Sequence, residues 1–272
     1  MSDYRFKKVA VLGAGVMGAQ IAAHLANAGV PVILFDLPAE AADKNAVVGK
    51  ALVNLGKLSP APLASKALVQ NIEPANYDEH LERLKGCDLI IEAVFENRAL
   101  KAQVTQEAEA MLAADGVFAT NTSTLPVSGL AKASARPAHF VGLHFFSPVD
   151  KMKLVEIIRG EQTSDETLAR AYDYVLALGK TPIVVNDSRG FFTSRVFGTF
   201  VMEGAAMLGE GIPAPVIENL AMQVGMPVGP LAVLDETALS LSVHVLDQTR
   251  EDLAKEGKTH TATPGELLVE RM

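Results

Sequence analysis

The stretch KKVAVLGAGVMGAQIA, Lys7 to Ala22, constrains this chain more than any other. An apolar run long enough for a strand gives way to Gly13, Gly15 and Gly18, and then to a helix-spaced apolar pattern. Each glycine has a physical reason in a strand-turn-helix unit. The first permits the tight turn, the second lets the backbone approach a pyrophosphate, and the third allows the helix to pack closely on the strand. The helix N-terminus then offers unpaired N–H groups and a positive dipole to an anion. Gly29 suits the helix C-terminus, and VPVILFD follows as a second strand ending in Asp36. An acid about twenty residues past the glycines can bind ribose hydroxyls and would repel a 2'-phosphate, which favours NAD as the cofactor. The competing role for Asp36 is to start a helix over PAEAADK.

The same N-terminus, RFKK followed by VAVLGAGVMGAQIAAHLA, imitates a secretory signal peptide. The regular glycines, the interruption by Gln20 and His24, and the strand that follows argue against one. The remaining apolar runs are too short for a membrane span. A formal charge of -8 argues against a surface that tracks nucleic-acid phosphates. The single cysteine, Cys87, cannot form an internal disulfide and reads as buried and inert, which suits a reducing compartment. The cytoplasm is the expected location.

Between the glycines and about Asn186, the runs KVAVLG, VPVILFD, CDLIIEAV, GVFATN, HFVGLHFF, KLVEIIRG and TPIVVND read as strands. Stretches such as MGAQIAAHLANAG and NRALKAQVTQEAEAML read as helices between them. That alternation predicts an α/β, Rossmann-type, doubly wound and mostly parallel sheet over residues 1–186. From 187 to 272 only helix-spaced apolar patterns remain, punctuated by Gly and Pro, which predicts a smaller all-helical second domain. Its wide apolar faces, with Phe192, Val196, Phe200, Met202 and Met207 early on, point to burial against the first domain or a second copy.

Three polar clusters follow strand ends: FENRALK, NTSTLP and HFFSPVDKMKLVE. In an open parallel sheet those ends face the same crevice as the glycine turn. Of the six histidines only His144 has this placement. His139 is five residues earlier, so on one strand the two rings would face opposite ways, and no His or Cys spacing elsewhere predicts a metal site. The bland reading of His144 is a buried neutral ring bonded to a carbonyl. Against it, SPVD can turn the chain so that KLVEI returns alongside the histidine's strand, bringing Glu156 to the imidazole as an orienting carboxylate. Ser123 is either turn chemistry before Pro126 or a hydroxyl facing the crevice; a G-x-S-x-G elbow is lacking.

With those residues in view, GAGVMGAQIA, IIEAVFEN, NTSTLP, LHFFSPVDKMKLVEIIRG and VGMPVGPLAVLDE together resemble the L-3-hydroxyacyl-CoA dehydrogenase family. The FFSPVDKM spelling is most similar to the dehydrogenase part of multifunctional fatty-acid β-oxidation proteins. The resemblance implies NAD-dependent oxidation of an L-3-hydroxyacyl-CoA, with His144 as base, Glu156 as its partner and Ser123 bonding the substrate oxygen. It implies Met17, Asp36, Glu96, Lys101, Ser123 and Ser147 around NAD, Lys57, on the helix after Asp36, as a contact for CoA phosphate, and a homodimer formed through the helical domain. Two departures accompany it. GFFTSR places Ser194 where many members have an asparagine that contacts the substrate oxygen, and Ser147 likewise replaces asparagine. Members usually continue past the GELLVERM region to a Gly-Phe-Tyr ending, so a shortened helical domain is expected. A dehydrogenase of a non-CoA 3-hydroxy acid, and an NAD-binding protein with weak or no catalysis, remain the alternatives.

Overall fold

The computed structural model describes residues 6–237, 239–255 and 257–272. They divide into two units, the first ending at Phe192 and the second spanning Thr193–Met272.

In the first unit the apolar runs form β1 (Val9–Leu12), β2 (Val32–Asp36), β3 (Ile72–Asn76), β4 (Leu89–Glu92), β5 (Val117–Thr120), β6 (Phe140–Phe145), β7 (Leu154–Arg159) and β8 (Thr181–Asn186). Helices α1 (Val16–Asn27), α2 (Ala46–Leu55), α3 (Arg98–Glu109), α4 (Val127–Ala131) and α5 (Asp165–Ala177) connect them. The strands form one eight-stranded sheet in the order β3-β2-β1-β4-β5-β6-β7-β8. β1 to β6 run parallel, and β7 reverses against β6 and carries β8 parallel to itself. Side chains alternate across a strand, so Val9 and Val11 enter one core with Ile21, Leu25 and Tyr174, while Ala10 and Leu12 enter the other with Val104 and Leu130. Thus α1, α2 and α5 cover one face, and α3 and α4 the other. Burial on both faces explains the near-continuous apolar strands.

One strand lies outside the runs read from the sequence, and one expected helix does not form. β3 carries Pro74 in IEPAN, which reads poorly as a strand, yet it pairs only with β2 at the sheet edge, where a missing N–H is tolerated. PAEAADK is not a helix. Ala39 N–H and the Lys44 ammonium each bond across the loop, Asp43 Oδ1 accepts the Asn45 N–H, and only then does α2 begin. Lys57 consequently lies past the end of α2 and is exposed.

The second unit contains α6 (Thr193–Gly209), α7 (Ala214–Gln223), α8 (Pro230–Glu236), α9 (Leu239–Lys255) and α10 (Pro264–Val269). Its core gathers Val201, Ala205, Leu234 and Val269. Close helix approach depends on missing side chains, since a Cβ on Gly204 would lie 2.5 Å from Pro230 Cγ. Among the described residues no helix is long and apolar enough to cross a membrane.

Candidate active site

The register aligns the carboxyl ends of the central strands, pairing Leu12 with Glu92, Glu92 with Thr120, and Thr120 with Gly142. The loops after β1, β4 and β5 therefore share one edge, and β6 continues past Gly142 to present His144 there. This is the crevice outside the switch point of an open α/β sheet.

The glycine turn shows which atoms must be absent. Gly13 has φ 100°, donates to Phe35 O at 2.8 Å, and a Cβ on it would lie 2.7 Å from Ala93 O. A Cβ on Gly18 would lie 1.8 Å from Gly13 O. Gly15 caps α1 with open space where its Cβ would stand. The first turn of α1 carries no acidic residue to oppose an anion at its N-terminus. Asp36 accepts the Ala14 N–H at 2.6 Å and the Leu37 N–H at 2.7 Å, so the acid is fixed against the turn as a preset acceptor. An open backbone cradle, a helix N-terminus and a held carboxylate fit a dinucleotide. Met17 is half-buried next to them and packs on the core.

After β4 a buried ion network shapes the next loop. Glu92, 1% exposed, accepts from the Lys101 ammonium at 2.7 Å, Thr120 at 2.8 Å and the Val94 N–H at 2.8 Å. Lys101, 2% exposed, also pairs with Glu96 at 3.2 Å. Its ammonium thus points into the protein and holds Glu96 at the crevice. Burial pushes the Glu96 carboxyl up, but the Lys101 charge and hydrogen bonds from Thr122, Lys101 and Thr124 outweigh it, leaving its pKa below the ordinary carboxylate range. Elsewhere burial pushes the Cys87 thiol up to about 11, an unreactive state.

In the loop after β5, Thr122 performs the turn chemistry. Its hydroxyl donates to Glu96 and accepts the Leu125 N–H at 3.0 Å. Ser123 is half-buried, and its hydroxyl bonds to none of the described residues. The loop is tied to the histidine's strand by Asn121 Oδ1, which accepts the Phe145 N–H at 2.9 Å. Asp187 holds its far end by accepting the Val127 and Ser128 N–H groups at 2.9 and 2.7 Å.

His144 stands directly opposite Glu156 in the antiparallel β6–β7 pair. The ring is 6% exposed, the glutamate fully buried, and Nδ1 lies 2.7 Å from Glu156 Oε2. The other carboxylate oxygen accepts the Phe192 N–H at 3.1 Å. Phe146 and Phe191 flank the ring at 4.3 and 6.0 Å between centroids. A carboxylate on Nδ1 fixes the tautomer and leaves Nε2 to meet a ligand. His139 precedes the strand, in a turn over Pro137–His139, where Nδ1 lies 3.2 Å from Gly116 O. Among the described residues no group of three or more His, Cys, Asp or Glu is placed to hold a metal ion.

Residues 8–188 match the model of the 3-hydroxyacyl-CoA dehydrogenase NAD binding domain, and residues 190–272 that of the 3-hydroxyacyl-CoA dehydrogenase C-terminal domain. The chain belongs to the 3-hydroxyacyl-CoA dehydrogenase family. Its cofactor is NAD, and it is an oxidoreductase. Similar solved structures include (S)-3-hydroxybutyryl-CoA dehydrogenase of Ralstonia eutropha, with 32% identity over 98% of this chain and 93% of that one and a TM-score of 0.80. FadB2 of M. tuberculosis shares 28% identity over 97% and 93% of the two chains, with a TM-score of 0.79. The 3-hydroxybutyryl-CoA dehydrogenase of Escherichia coli shares 28% over 89% of this chain and 51% of that one, at 0.78.

Within this family chain, the residues anticipated from sequence separate into three groups. Gly13, Gly15, Gly18, Asp36, Glu96, Ser123, His144 and Glu156 lie on the loops and strand ends of the one crevice edge, and Ser147 is exposed just beyond His144. Ser194 is half-buried in the first turn of α6, in the second unit. Lys57 is absent from the lining of an open cleft of ≈ 350 Å³ beside the glycine turn, whereas Lys50 lines it with Gly15, Val16, Asn54 and Leu58. Lys50 was legible only by extending α2 backwards from Lys57 and asking which lysine faces α1. Asn121, Asp187 and the Phe192 N–H carry no motif that spacing alone could reveal.

Proposed function

We propose that the chain oxidises an L-3-hydroxyacyl-CoA to the 3-oxoacyl-CoA, the dehydrogenation step of fatty-acid β-oxidation, with His144 as general base. The observation that supports this reading is the 2.7 Å contact between His144 Nδ1 and Glu156, which leaves Nε2 for a ligand. Nε2 removes the proton of the 3-hydroxyl, and Glu156 stabilises the imidazolium that forms. Bound NAD supplies the acceptor for the C3 hydride. Ser123 donates a hydrogen bond to the same substrate oxygen as it becomes a carbonyl, and the flanking Phe146 and Phe191 rings keep water from the base. Lys50, with Lys57 one residue before Leu58 of the same cleft, supplies cations for CoA phosphate.

The helical unit exposes Val216, Leu220, Met222, Val224 and Met226, a concentration of apolar surface that supports pairing with a second copy. Light scattering at two concentrations tests that pairing. We place the reaction in the cytoplasm, in keeping with the thiol of Cys87. The decisive assay follows NADH oxidation by the purified chain with acetoacetyl-CoA, beside His144→Ala. Turnover in the parent alone supports the mechanism; equal turnover in both excludes His144 as the base.

A further inference from the structure

The turn that joins the strand of His144 to that of Glu156 is gripped by two buried side chains that the proposed reaction does not use. Gln20 on α1 is 7% exposed and accepts the Val149 N–H at 2.8 Å. Lys180, between α5 and β8 and 5% exposed, donates to the carbonyl of Val149 and, at 2.6 Å, to that of Met152. Both backbone groups of Val149 are therefore held by side chains from distant parts of the chain, while its own side chain is fully buried. Within itself the turn makes backbone bonds from Lys151 and Met152 N–H to Pro148 O and an ion pair of 3.0 Å between the half-exposed Lys151 ammonium and Asp150. Burying an amide and an ammonium is costly unless both are well bonded, so the burial of Gln20 and Lys180 depends on the bonds that they make to this turn.

The β6–β7 ladder already sets His144 opposite Glu156, so the grip adds little to that pair. Two positions before Val149 stands Ser147, exposed at the start of the turn. Gln20 also belongs to the helix whose N-terminus forms the dinucleotide cradle, so one element carries the cradle and one half of the grip. We infer that Gln20 and Lys180 are positioning residues, which set Ser147 against bound NAD by locking the turn onto α1 and onto the segment before β8. This rests on the reading of Ser147 as an NAD contact in an NAD-dependent dehydrogenase.

The test uses the full chain with Gln20→Met, Gln20→Glu and Lys180→Met, reading kcat, KM for acetoacetyl-CoA, the fluorescence of bound NADH and Tm. Glu retains an oxygen that can accept from Val149; Met fills the space without one. Misplacement of a reacting group by about 1 Å costs up to about 10²-fold, so kcat should fall about tenfold or more in Gln20→Met and Lys180→Met. KM for acetoacetyl-CoA should stay near the parent value in Lys180→Met, whereas Gln20 also lines the cleft beside the glycine turn; the emission of bound NADH should change, and Gln20→Glu should restore both kcat and emission. Parent-like kcat and emission in Gln20→Met would overturn the inference, as would losses that follow Tm and are not restored by Gln20→Glu. A parent chain that binds NADH but turns over no acyl-CoA sinks the proposed reaction instead, and the emission comparison then decides the inference alone.

Discussion

The glycine turn after β1 and the turn after β6 serve the same crevice by opposite means. The first works because atoms are missing: Gly13 and Gly18 leave room that a single methyl would fill at 2.7 and 1.8 Å from backbone oxygens. The second works because atoms are present, with Gln20 and Lys180 filling the polar needs of a turn whose own bonds are few. Adding atoms should break the first, and removing them the second. A site of this kind is exposed to both kinds of lesion.

The largest expected effect lies on the side of atoms present. His144→Ala should lower kcat by roughly 10³-fold, within the range for loss of a positioned base, with NADH affinity nearly unchanged in a fluorescence titration. Glu156→Gln keeps the shape but replaces one carboxylate oxygen by an NH2 donor, and should cost about 10²-fold in kcat through the wrong ring tautomer. On the side of missing atoms, Gly18→Ala should weaken NADH binding and also destabilise the fold by about 1–3 kcal/mol in urea unfolding, because its Cβ meets backbone. Gly15→Ala sharpens the contrast. Its Cβ meets nothing and its φ of -66° suits any residue, so Tm should hold while NADH affinity falls roughly tenfold, equivalent to about 1.4 kcal/mol.

The smallest effect concerns Glu96. Its folded pKa lies below the unfolded one, so its contribution to stability is present above the ordinary glutamate range and is lost as pH falls through the folded value. The side chain is 35% exposed, so screening keeps this contribution small. Glu96→Gln should be slightly less stable than the parent near neutrality, with the gap closing at acid pH; a gap that widened on acidification would contradict the assignment of the ion network.

The same contrast explains which features are legible in the sequence. Gly13, Gly15, Gly18 and Asp36 follow from spacing, because a backbone turn needs particular residues at particular places. The pairing of His144 with Glu156 follows from two strands and a turn, since antiparallel register puts one residue opposite one other. The edge strand β3 was hidden by Pro74, whose cost depends on a sheet position that local sequence does not encode. Asn121, Asp187, Gln20 and Lys180 act over separations of 24 to 129 residues, and polar residues of their types sit unremarked on most surfaces. Only folding says which of them are buried and what they reach.

The bond from the Phe192 N–H to Glu156 bears on how the protein can be taken apart. A fragment ended at Asn186, where the last strand stops, would retain every strand of the sheet. It would nevertheless discard Asp187, which secures the loop of Ser123, and the donor that occupies the second oxygen of Glu156. For anyone grafting this module, or swapping its helical portion with that of a relative, the seam belongs after Phe192; a junction six residues earlier would preserve the architecture while loosening the chemistry it carries.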